Sequence, residues 1–509
     1  MTLSATNFLV KQYLKTRQKR IQRILNEPLA CQEDVLYEIL RLQKSTQWGK
    51  KYGYKTIKNQ VAYKTNVPII SYEDILPWIE RMIAGEPDVL HPGCVNMFAK
   101  SSGTSNDQSK YIPLSKKMLS VGHDTASWDL LSTLYHVRPD TKIFVHKNLI
   151  MGGSVHSFQN NSEAIYGDIS AITLNNLPPF SRPYYTPDFE TALLDDWEEK
   201  INRMVKICSE VEVTMLAGVP SWTLILLQKI IAYKQVETME QVWDEASIFI
   251  HGGVGFEPYR SSFDKLFPSG KLAYMQVYNA SEGFFAFQND INSDDLLLLL
   301  DHGVYYEFIP SAEFENQQPK TITLREVEVN QVYALVISTY SGLSRYRLGD
   351  TIIFTSTAPY KIKVVGREQQ FINAFGEELM IHNAELAIAR TAEMHRVTVN
   401  DYTVAPQYIE GNGQGCHQWL IEFEKEPHSL SQFTKSLDAQ LQAINSDYQA
   451  KRSYDLVMKQ LTVTSLPCGT FKKWMRNKGK LGGQNKVPRL SNDRNLLEQI
   501  LKSLKTTHV

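Results

Sequence analysis

A stretch near residue 100 combines small hydroxyl residues, a glycine and a lysine. It follows the mainly apolar residues 95–98, which predict a strand, and runs over residues 99–113 as AKSSGTSNDQSKYIP. The positions that could bind an anion are Ser101, Ser102, Gly103, Thr104 and Lys110. Small residues let backbone N–H groups approach an anion, while hydroxyls add donors and a lysine adds positive charge. The stretch fits a loop that binds a triphosphate, and the alternative is an ordinary Ser/Gly-rich surface loop. The Walker A pattern G-x-x-x-x-G-K-[ST] is absent from it.

Three later segments carry aromatic, carboxylate and guanidinium groups. They are YNASEG at residues 278–283, SRYRLGD at residues 344–350 and GREQQFIN at residues 366–373. The first follows the apolar residues 275–278, so it is predicted where a strand ends, which is where ligand groups lie in α/β folds. Together the segments supply an aromatic ring with a carboxylate, a second carboxylate beside arginines, and one further arginine.

The elements between these segments predict an α/β fold. Apolar residues at helical spacing predict helices over residues 115–135, 189–208 and 222–232. Ser115 and Asp188 are placed as the N-caps of the first two. Short apolar runs predict buried strands over residues 143–146, 149–151 and 213–216, and residues 248–255 predict a short strand that ends in glycines. Residues 304–355 are rich in β-branched and aromatic residues and favour a mostly antiparallel sheet, with one strand over residues 322–329.

A change of composition after Gly366-Arg367 predicts a domain boundary there. Residues 1–368 are expected to form a large N-terminal domain of mixed sheets with flanking helices. Residues 369–509 show helical patterns near residues 383–395 and 430–445 and a strand pattern at residues 418–424, and they are expected to form a smaller α+β C-terminal domain. The predicted fold class is therefore α/β with two domains.

The overall composition limits the class of protein. The chain has 509 residues, too many for one core, with 43% hydrophobic and 21% charged residues, which is ordinary for a globular protein. A net charge of −1 favours neither nucleic acid nor an anionic membrane as a partner. The five cysteines are scattered, which speaks against disulfides and structural zinc and fits a reducing compartment. No hydrophobic signal core or membrane-spanning run is present in the sequence, so a cytoplasmic location is expected.

The four segments stand in the order found in the adenylate-forming superfamily. That superfamily has a hydroxyl-glycine loop, an aromatic-x-x-[ST]-E element, an [RK]-x-G-D element and a G-R hinge. Within it, the chain resembles the Gretchen Hagen family, the plant acyl acid amido synthetases that conjugate auxin or jasmonate to amino acids, and their bacterial relatives. The shared marks are SSGT followed by S-K-Y-I-P, RYRLGD, and QNKVPR at residues 484–489. The resemblance extends from about residue 50 to residue 489.

The resemblance implies an ATP site that also binds magnesium. The phosphates would be held by Ser101, Ser102, Gly103, Thr104 and Lys110. Tyr278 would stack on adenine, with Asn279 and Ser281 beside it, and its alternative role is a core tyrosine. Glu282 would hold Mg²⁺, which prefers oxygen ligands, and its alternative role is to cap a helix.

The resemblance also implies roles for the third and fourth segments. Asp350 would accept hydrogen bonds from both ribose hydroxyls, and its alternative role is a turn aspartate. Arg367 would bond ribose or phosphate and mark the hinge of a mobile C-terminal domain. Arg345 and Arg347 are interpreted mainly as partners of nearby acids, and the alternative is that one of them reaches the adenylate.

The sequence departs from the superfamily pattern in two places. Asn106 stands where a glycine is usual, and asparagine tolerates left-handed backbone angles better than most residues. The superfamily's C-terminal P-x-x-x-G-K element has only a loose counterpart in residues 466–472. The catalytic lysine of adenylation is therefore either Lys472 or Lys486.

The implied reaction has two steps and small-molecule substrates. A carboxylic acid attacks the α-phosphate of ATP to give acyl-AMP and pyrophosphate, and an amino acid or similar amine then displaces AMP. Position along the chain suggests Trp128, Met151, Val219 and Trp222 as the acid pocket, with core residues as the alternative for each.

Two other functions share most of these features. An acyl-CoA ligase of the same superfamily has the same loop and the G-D and G-R elements, and a non-catalytic acyl-adenylate binding module would keep the site without the chemistry. The ending QNKVPR favours amide formation. No nucleic-acid or membrane partner is expected, and the oligomeric state is left open.

Overall fold

The computed structural model describes residues 3–105, 108–177, 179–253, 256–314, 316, 318–367, 371–409, 414–455, 457–477 and 487–505. The helices are α1 (Leu3–Asn26), α2 (Pro28–Gln43), α3 (Gln47–Lys51), α4 (Gln60–Asn66), α5 (Tyr72–Ile83), α6 (Lys116–Met118), α7 (Thr125–Val137), α8 (Ile169–Asn175), α9 (Phe189–Ala192), α10 (Trp197–Cys208), α11 (Pro220–Lys234), α12 (Glu257–Leu266), α13 (Ile381–His395), α14 (Leu430–Ile444), α15 (Ser446–Arg452), α16 (Thr470–Asn477) and α17 (Asn495–Lys505). The strands are β1 (Met97–Ser105), β2 (Gln108–Pro113), β3 (Lys147–Ile150), β4 (Val155–Phe158), β5 (Asn161–Gly167), β6 (Tyr185–Thr186), β7 (Val213–Gly218), β8 (Ile248–His251), β9 (Ala273–Ala280), β10 (Gly283–Gln288), β11 (Leu296–Leu298), β12 (Val304–Pro310), β13 (Val332–Thr339), β14 (Tyr346–Thr357), β15 (Tyr360–Arg367), β16 (Phe371–Ile372), β17 (Leu379–Met380), β18 (Val399–Tyr408), β19 (Gly415–Phe423) and β20 (Thr462–Leu466).

The largest sheet is half parallel and half antiparallel. Its strand order is β12-β13-β14-β15-β11-β10-β9-β8-β7-β3-β6. The strands from β9 to β6 run parallel, and the crossovers between them are made by α10, α11 and α12. Parallel strands covered on both faces need apolar residues at every position. In β7 and β8, Leu216 and Phe249 enter the core beneath these helices, whereas Met215 and Ile248 enter the core on the opposite face.

A smaller sheet carries the hydroxyl-rich stretch. Its order is β2-β1-β5-β4, and β1 pairs with β2 as an antiparallel hairpin. The pairing is regular up to Ser101 opposite Lys110, then shifts before it resumes at Thr104. This irregularity lies within SSGT. The hairpin is therefore regular from Phe98 to Ser101 and distorted beyond Ser101.

The C-terminal elements have their own cores. The sheet β18-β19-β20 is covered on one face by α13 and α14 and on the other by α16 and α17. The first of these cores also contains Ile225 of α11, and the hydroxyl of Tyr259 in α12 donates to the Ala374 carbonyl at 2.9 Å. The C-terminal elements therefore dock onto α11 and α12.

Most elements named from the sequence are present. The Ser115 hydroxyl accepts from the Met118 amide at 3.1 Å, and the helix continues through a wide turn at Leu119–Asp124 into α7. Strands at β7, β8, β9, β12, β13, β14 and β19 and helices at α11, α13 and α14 also match their predictions. No helix within the described ranges is both long and apolar enough to span a bilayer.

Three predicted elements are wrong. Residues 143–146 form a turn, held by the Asn148 side chain, which donates to the Ile143 carbonyl at 3.0 Å. The single helix over 189–208 is two helices, because the Asp196 carboxylate accepts from the Glu199 amide at 2.7 Å and starts α10 afresh. The strand over 322–329 contains a short 3₁₀ turn, in which the Thr323 side chain and backbone both bond Glu326.

Candidate active site

The hydroxyl stretch and the segments YNASEG and SRYRLGD meet at one edge of the large sheet. The parallel strands β3, β7, β8 and β9 all end there, and β9 turns into β10 through Ser281 and Glu282. The Ser281 hydroxyl donates to the Lys100 carbonyl at 3.3 Å, which joins this turn to the strand that leads into SSGT. The edge where parallel strands end is the usual ligand site of an α/β sheet.

Tyr278 and Asp350 are brought together by curvature of the sheet. Four steps separate β9 from β14 in the strand order. At about 4.8 Å per step a flat sheet would hold them roughly 19 Å apart. Instead the Tyr278 hydroxyl donates to Asp350 Oδ2 at 2.5 Å. The sheet therefore curls, and the second and third segments face one space.

The backbone around Asp350 is fixed by its neighbours. Gly349 has φ of +89°, a left-handed conformation that favours glycine, and it lies where the pairing of β14 with β13 is irregular. Asp350 lies opposite Arg367 in the β14–β15 pairing. The third and fourth segments are thus adjacent strands, although the description of Arg367 covers its backbone alone. Asp350 lies within a strand, so its reading as a turn residue is wrong.

Glu282 places one carboxylate beside the hydroxyl stretch. It lies in the β9–β10 turn with 8% of its surface exposed, so it does not cap a helix. Across the described residues, no group of three His, Cys, Asp or Glu side chains could hold a metal unaided. A single carboxylate beside a candidate phosphate site would suit Mg²⁺ only with further ligands from phosphate oxygens and water.

The hydroxyl stretch is described in part. Lys110 lies opposite Ser101 in the hairpin, and its ammonium group lies 5.4 Å from the ring centre of Tyr72. The backbones of Ser102, Gly103 and Thr104 belong to β1. Their side chains and Asn106 lie outside the described part of the chain. The hairpin therefore places Ser101 and Lys110 on one face, as an anion site requires.

Asn279 is the neighbour of a buried histidine. The pKa of His123, in the turn before α7, is lowered to about 4 by burial, and the Asn279 side chain opposes that shift. His123 is therefore neutral at physiological pH. Tyr278, one residue earlier, also packs edge-on against Phe285 at 4.9 Å.

The four residues predicted for the acid pocket separate into groups. Met151 and Val219 flank Thr223, whose hydroxyl lies 3.8 Å from the Met151 sulfur and 3.0 Å from the Val219 carbonyl. Trp222 is on the same helix, and its ring centre lies 3.9 Å from that of Trp197. Trp128 packs elsewhere, against Tyr13 and Phe144, with ring centres at 5.8 and 6.3 Å. The structure therefore brings three of the four together.

The structure describes one of the two candidate lysines, Lys472, and it lies away from this edge. Lys472 is exposed on α16, on the face of the C-terminal sheet opposite the core that contains Ile225. Lys486 lies outside the described residues. Helix α16 packs against the C-terminal sheet and α17, so Lys472 would reach the edge of the large sheet only after movement of the C-terminal elements.

Arg345 has a structural role, as interpreted from the sequence. Its guanidinium group donates to both carboxylate oxygens of Glu307, at 2.9 and 3.0 Å, and to the Val67 carbonyl at 2.7 Å. Both side chains are almost wholly buried, at 7% and 1% exposed. The pair joins α4 and its following loop to the antiparallel half of the sheet.

Lys200 was not predicted as a site residue. Its ammonium group donates to the carbonyls of Gly152 and Gly153 at 2.9 and 3.2 Å and so orders the loop that follows Met151. It is 3% exposed. The sequence held a signal for it, because Lys200 falls in the apolar stripe of α10 between Trp197 and Met204.

Replacing Lys200 with methionine should abolish a pH-dependent part of the stability. Burial lowers the pKa of Lys200 to about 8, from 10.5 in the unfolded chain. Between these values the unfolded chain binds a proton that the folded chain has released, so stability attributable to Lys200 rises with pH across that window. The rise is on the order of 2–3 kcal/mol. Urea unfolding of both proteins near pH 7.5 and near pH 10 measures it, and an unchanged difference between them would contradict the assignment.

Models of one protein family match most of the chain. The GH3 family N-terminal domain matches residues 17–148 and 137–272, the GH3 family central domain residues 297–367, and the GH3 family C-terminal domain residues 382–495. The chain is similar to an indole-3-acetic acid-amido synthetase of Arabidopsis thaliana, with 23% identity over 94% of this chain and 92% of the relative. It is also similar to a jasmonoyl–L-amino acid synthetase of Oryza sativa subsp. japonica, with 21% identity over 93% of this chain and 94% of the relative.

A solved structure shares the fold. The GH3.15 acyl acid amido synthetase in complex with 2,4-DB superposes with a TM-score of 0.62, at 17% identity, over 97% of this chain and 96% of the other. This likeness supports the expected α/β class, with a large N-terminal domain of mixed sheets and a smaller C-terminal domain. Given the matches to its N-terminal, central and C-terminal domains, the chain belongs to the GH3 family.

Proposed function

We propose that this chain is an ATP-dependent acyl acid amido synthetase. It activates a small carboxylic acid as acyl-AMP, with release of pyrophosphate, and then transfers the acyl group to an amino acid or similar amine. Catalysis of the first step is positioning and neutralisation of charge, and no protein nucleophile is required.

The juxtaposition at the sheet edge supports this proposal most directly. The Ser281–Lys100 hydrogen bond joins the hydroxyl stretch to the β9–β10 turn, and the Tyr278–Asp350 hydrogen bond joins that turn to the G-D element. Groups that could bind phosphate, base and ribose therefore adjoin one another along this edge.

The residues of this edge take the following roles in the proposal. The phosphates of ATP bind Ser101, Ser102, Gly103, Thr104 and Lys110. Tyr278 contacts adenine beside Asn279 and Ser281, and Asp350 and Arg367 bind the ribose. Mg²⁺ bound between Glu282 and the phosphates would offset their negative charge.

The acid binds beyond the α-phosphate position. Met151, Val219 and Trp222 line this part of the edge, and their apolar surfaces suit an aromatic or aliphatic acid. Trp128 was placed in the same pocket from the sequence, and its packing against Tyr13 and Phe144 leaves it a supporting role.

The C-terminal domain moves between the two steps in this proposal. Residues 369–509 rotate about the hinge at Arg367, while residues 1–368 keep the nucleotide and the acid. The rotation brings either Lys472 or Lys486 to the α-phosphate for adenylation. Such domain steps take microseconds to milliseconds. All five cysteines are free thiols, which suits the cytoplasm as the place of this activity.

Pyrophosphate exchange tests the first step. Labelled pyrophosphate should enter ATP when a panel of aromatic and aliphatic acids is supplied with Mg²⁺, and only with acids that the pocket accepts. The active acid is then incubated with ATP and either an amino-acid mixture or CoA, and the products are identified by mass. An amide is expected. Acyl-CoA as the main product would assign the chain to the CoA ligases, and absence of exchange with every acid would leave only the binding module.

A further inference from the structure

Two charged side chains on α15 face the N-terminal elements. Asp447 and Lys451 are one helical turn apart and half-buried. The ammonium group of Lys451 lies 4.6 Å from the ring centre of Trp222, and a side chain at Gly376 would come within 3.4 Å of it. Lys451 is therefore held between the C-terminal elements and the proposed acid pocket.

Among the residues that the structure describes, neither charge has a salt bridge or a side-chain hydrogen bond, although each is the other's main opposite charge and Lys451 also contacts the Trp222 ring. Within the described parts of the chain, no carboxylate lies within 4 Å of the Lys451 ammonium group, and the Asp447 carboxylate has no hydrogen bond. Half-buried charges that lack a salt bridge are only partly compensated, so a ligand with complementary charges would stabilise both. An amino acid carries one carboxylate and one ammonium group, which are the complements of Lys451 and Asp447.

Asp447 faces the strand that leads into the hydroxyl stretch. Electrostatic interactions connect it with Lys100 of β1, with Asp168 before α8 and with Glu378 before β17. Lys100 precedes Ser101 of the hydroxyl stretch, and its carbonyl accepts a hydrogen bond from Ser281. The pair is thus positioned between the nucleotide edge and Trp222, which in the proposed function is where the acyl carbon lies.

We propose that Lys451 and Asp447 form the acceptor subsite of the second half-reaction, with Lys451 binding the carboxylate of the amino acid and Asp447 accepting a proton from its ammonium group. This inference rests on the proposed function. The neutral amine then attacks the acyl carbon, a C–N bond forms, and the bond to the phosphate oxygen breaks with its electron pair leaving on AMP. The second proton of the nitrogen goes to solvent, which leaves an amide and AMP.

The surroundings suit Asp447 as a base near neutral pH. Burial, followed by the negative charge of Glu378, raises its pKa to about 7, with Asp168 acting in the same direction. Lys451 and Lys100 act in the opposite direction. The proton-accepting form therefore becomes dominant as the pH rises through about 7. Amide formation should rise over the same range.

Single turnovers from a pre-formed acyl adenylate isolate this step from adenylation. The probe is the synthetic adenylate of the acid that gives the fastest pyrophosphate exchange. Acceptors are the preferred amino acid and the amine that lacks only its carboxylate, for example alanine and ethylamine. Lys451→Gln should raise the KM for the amino acid about 10- to 100-fold and leave the simple amine unaffected. Lys451→Arg should restore most of the loss, since it keeps the charge.

Asp447→Asn should lower kcat at pH 7 about 10- to 100-fold with little change of KM. Its rate should approach that of the wild type at high pH, where solvent supplies the neutral amine. Gln449→Ala, an exposed position on the same helix, is the matched control and should change nothing. Circular dichroism confirms that each variant is folded.

Each contrary outcome is distinct. Equal losses for amino acid and simple amine in Lys451→Gln would overturn the carboxylate role, and loss of pyrophosphate exchange would reassign this lysine to adenylation. A wild-type pH profile in Asp447→Asn would overturn the base role. Failure of the proposed function itself would appear as wild-type protein that neither exchanges pyrophosphate nor forms an amide from the adenylate.

Discussion

Asp350→Ala is expected to weaken binding of ATP by about 1–3 kcal/mol, or roughly 5- to 150-fold in affinity. The carboxylate is 9% exposed and would accept hydrogen bonds from both ribose hydroxyls, a task that needs two acceptor oxygens. Its removal also leaves the Tyr278 hydroxyl without the partner it holds at 2.5 Å. Calorimetry with a non-hydrolysable ATP analogue measures the effect. Unchanged affinity in a folded variant would remove Asp350 from the nucleotide site.

Tyr278→Phe is the matched control for this prediction. It keeps the ring for adenine and removes only the hydroxyl that bonds Asp350, so the expected loss is the smaller value of a single hydrogen bond, about 0.5–1.5 kcal/mol. Equal losses in the two variants would mean that Asp350 acts by positioning Tyr278, with no ribose contact of its own.

Arg345→Met is expected to lower the free energy of unfolding by about 3–5 kcal/mol. The substitution leaves Glu307 buried and charged after losing both bonds from the guanidinium group. It also leaves the Val67 carbonyl without its donor. Urea unfolding followed by tryptophan fluorescence measures the change.

Two comparisons show whether the loss comes from the uncompensated charge. Arg345→Met combined with Glu307→Gln should recover part of the stability, because the remaining side chain is neutral. Arg203→Met removes an exposed ion pair with Glu199 at 44% and 49% exposure, and should change the stability by less than about 1 kcal/mol. A loss in Arg345→Met no larger than that in Arg203→Met would contradict the assignment.

The sequence predicted the elements whose signals are local. Ser115 caps its helix as expected because an N-cap is determined within one turn, and β7 and β8 were found because buried parallel strands are apolar throughout. The helix over 189–208 failed for the opposite reason. Its apolar stripe continues across a break that the Asp196 side chain creates, so periodicity alone joined two helices.

The sequence predicted which segments form the candidate site, but it did not predict how their side chains are arranged around it. Motif order pointed to Tyr278, Glu282 and Asp350, but only the curled sheet shows that Tyr278 and Asp350 touch. Asp447 and Lys451 gave no signal, because a helix with one acid and one lysine a turn apart is typical of a solvated surface. Their significance comes from the elements that pack against them, which are distant in the chain.

The burial of Ile225 has a consequence for any measured affinity. This side chain is 5% exposed within a core made mostly by the C-terminal elements, so rotating those elements away would uncover it. Exposing an isoleucine costs about 1.5–3 kcal/mol, so the burial of this one side chain would by itself favour the closed form over the rotated form of the proposed function by roughly ten- to a hundred-fold. A substrate that binds only the rotated form would then show an apparent dissociation constant larger than its intrinsic one by that same factor. Replacing Ile225 with alanine would lower the apparent dissociation constant of such a substrate, although Ile225 does not contact the substrate.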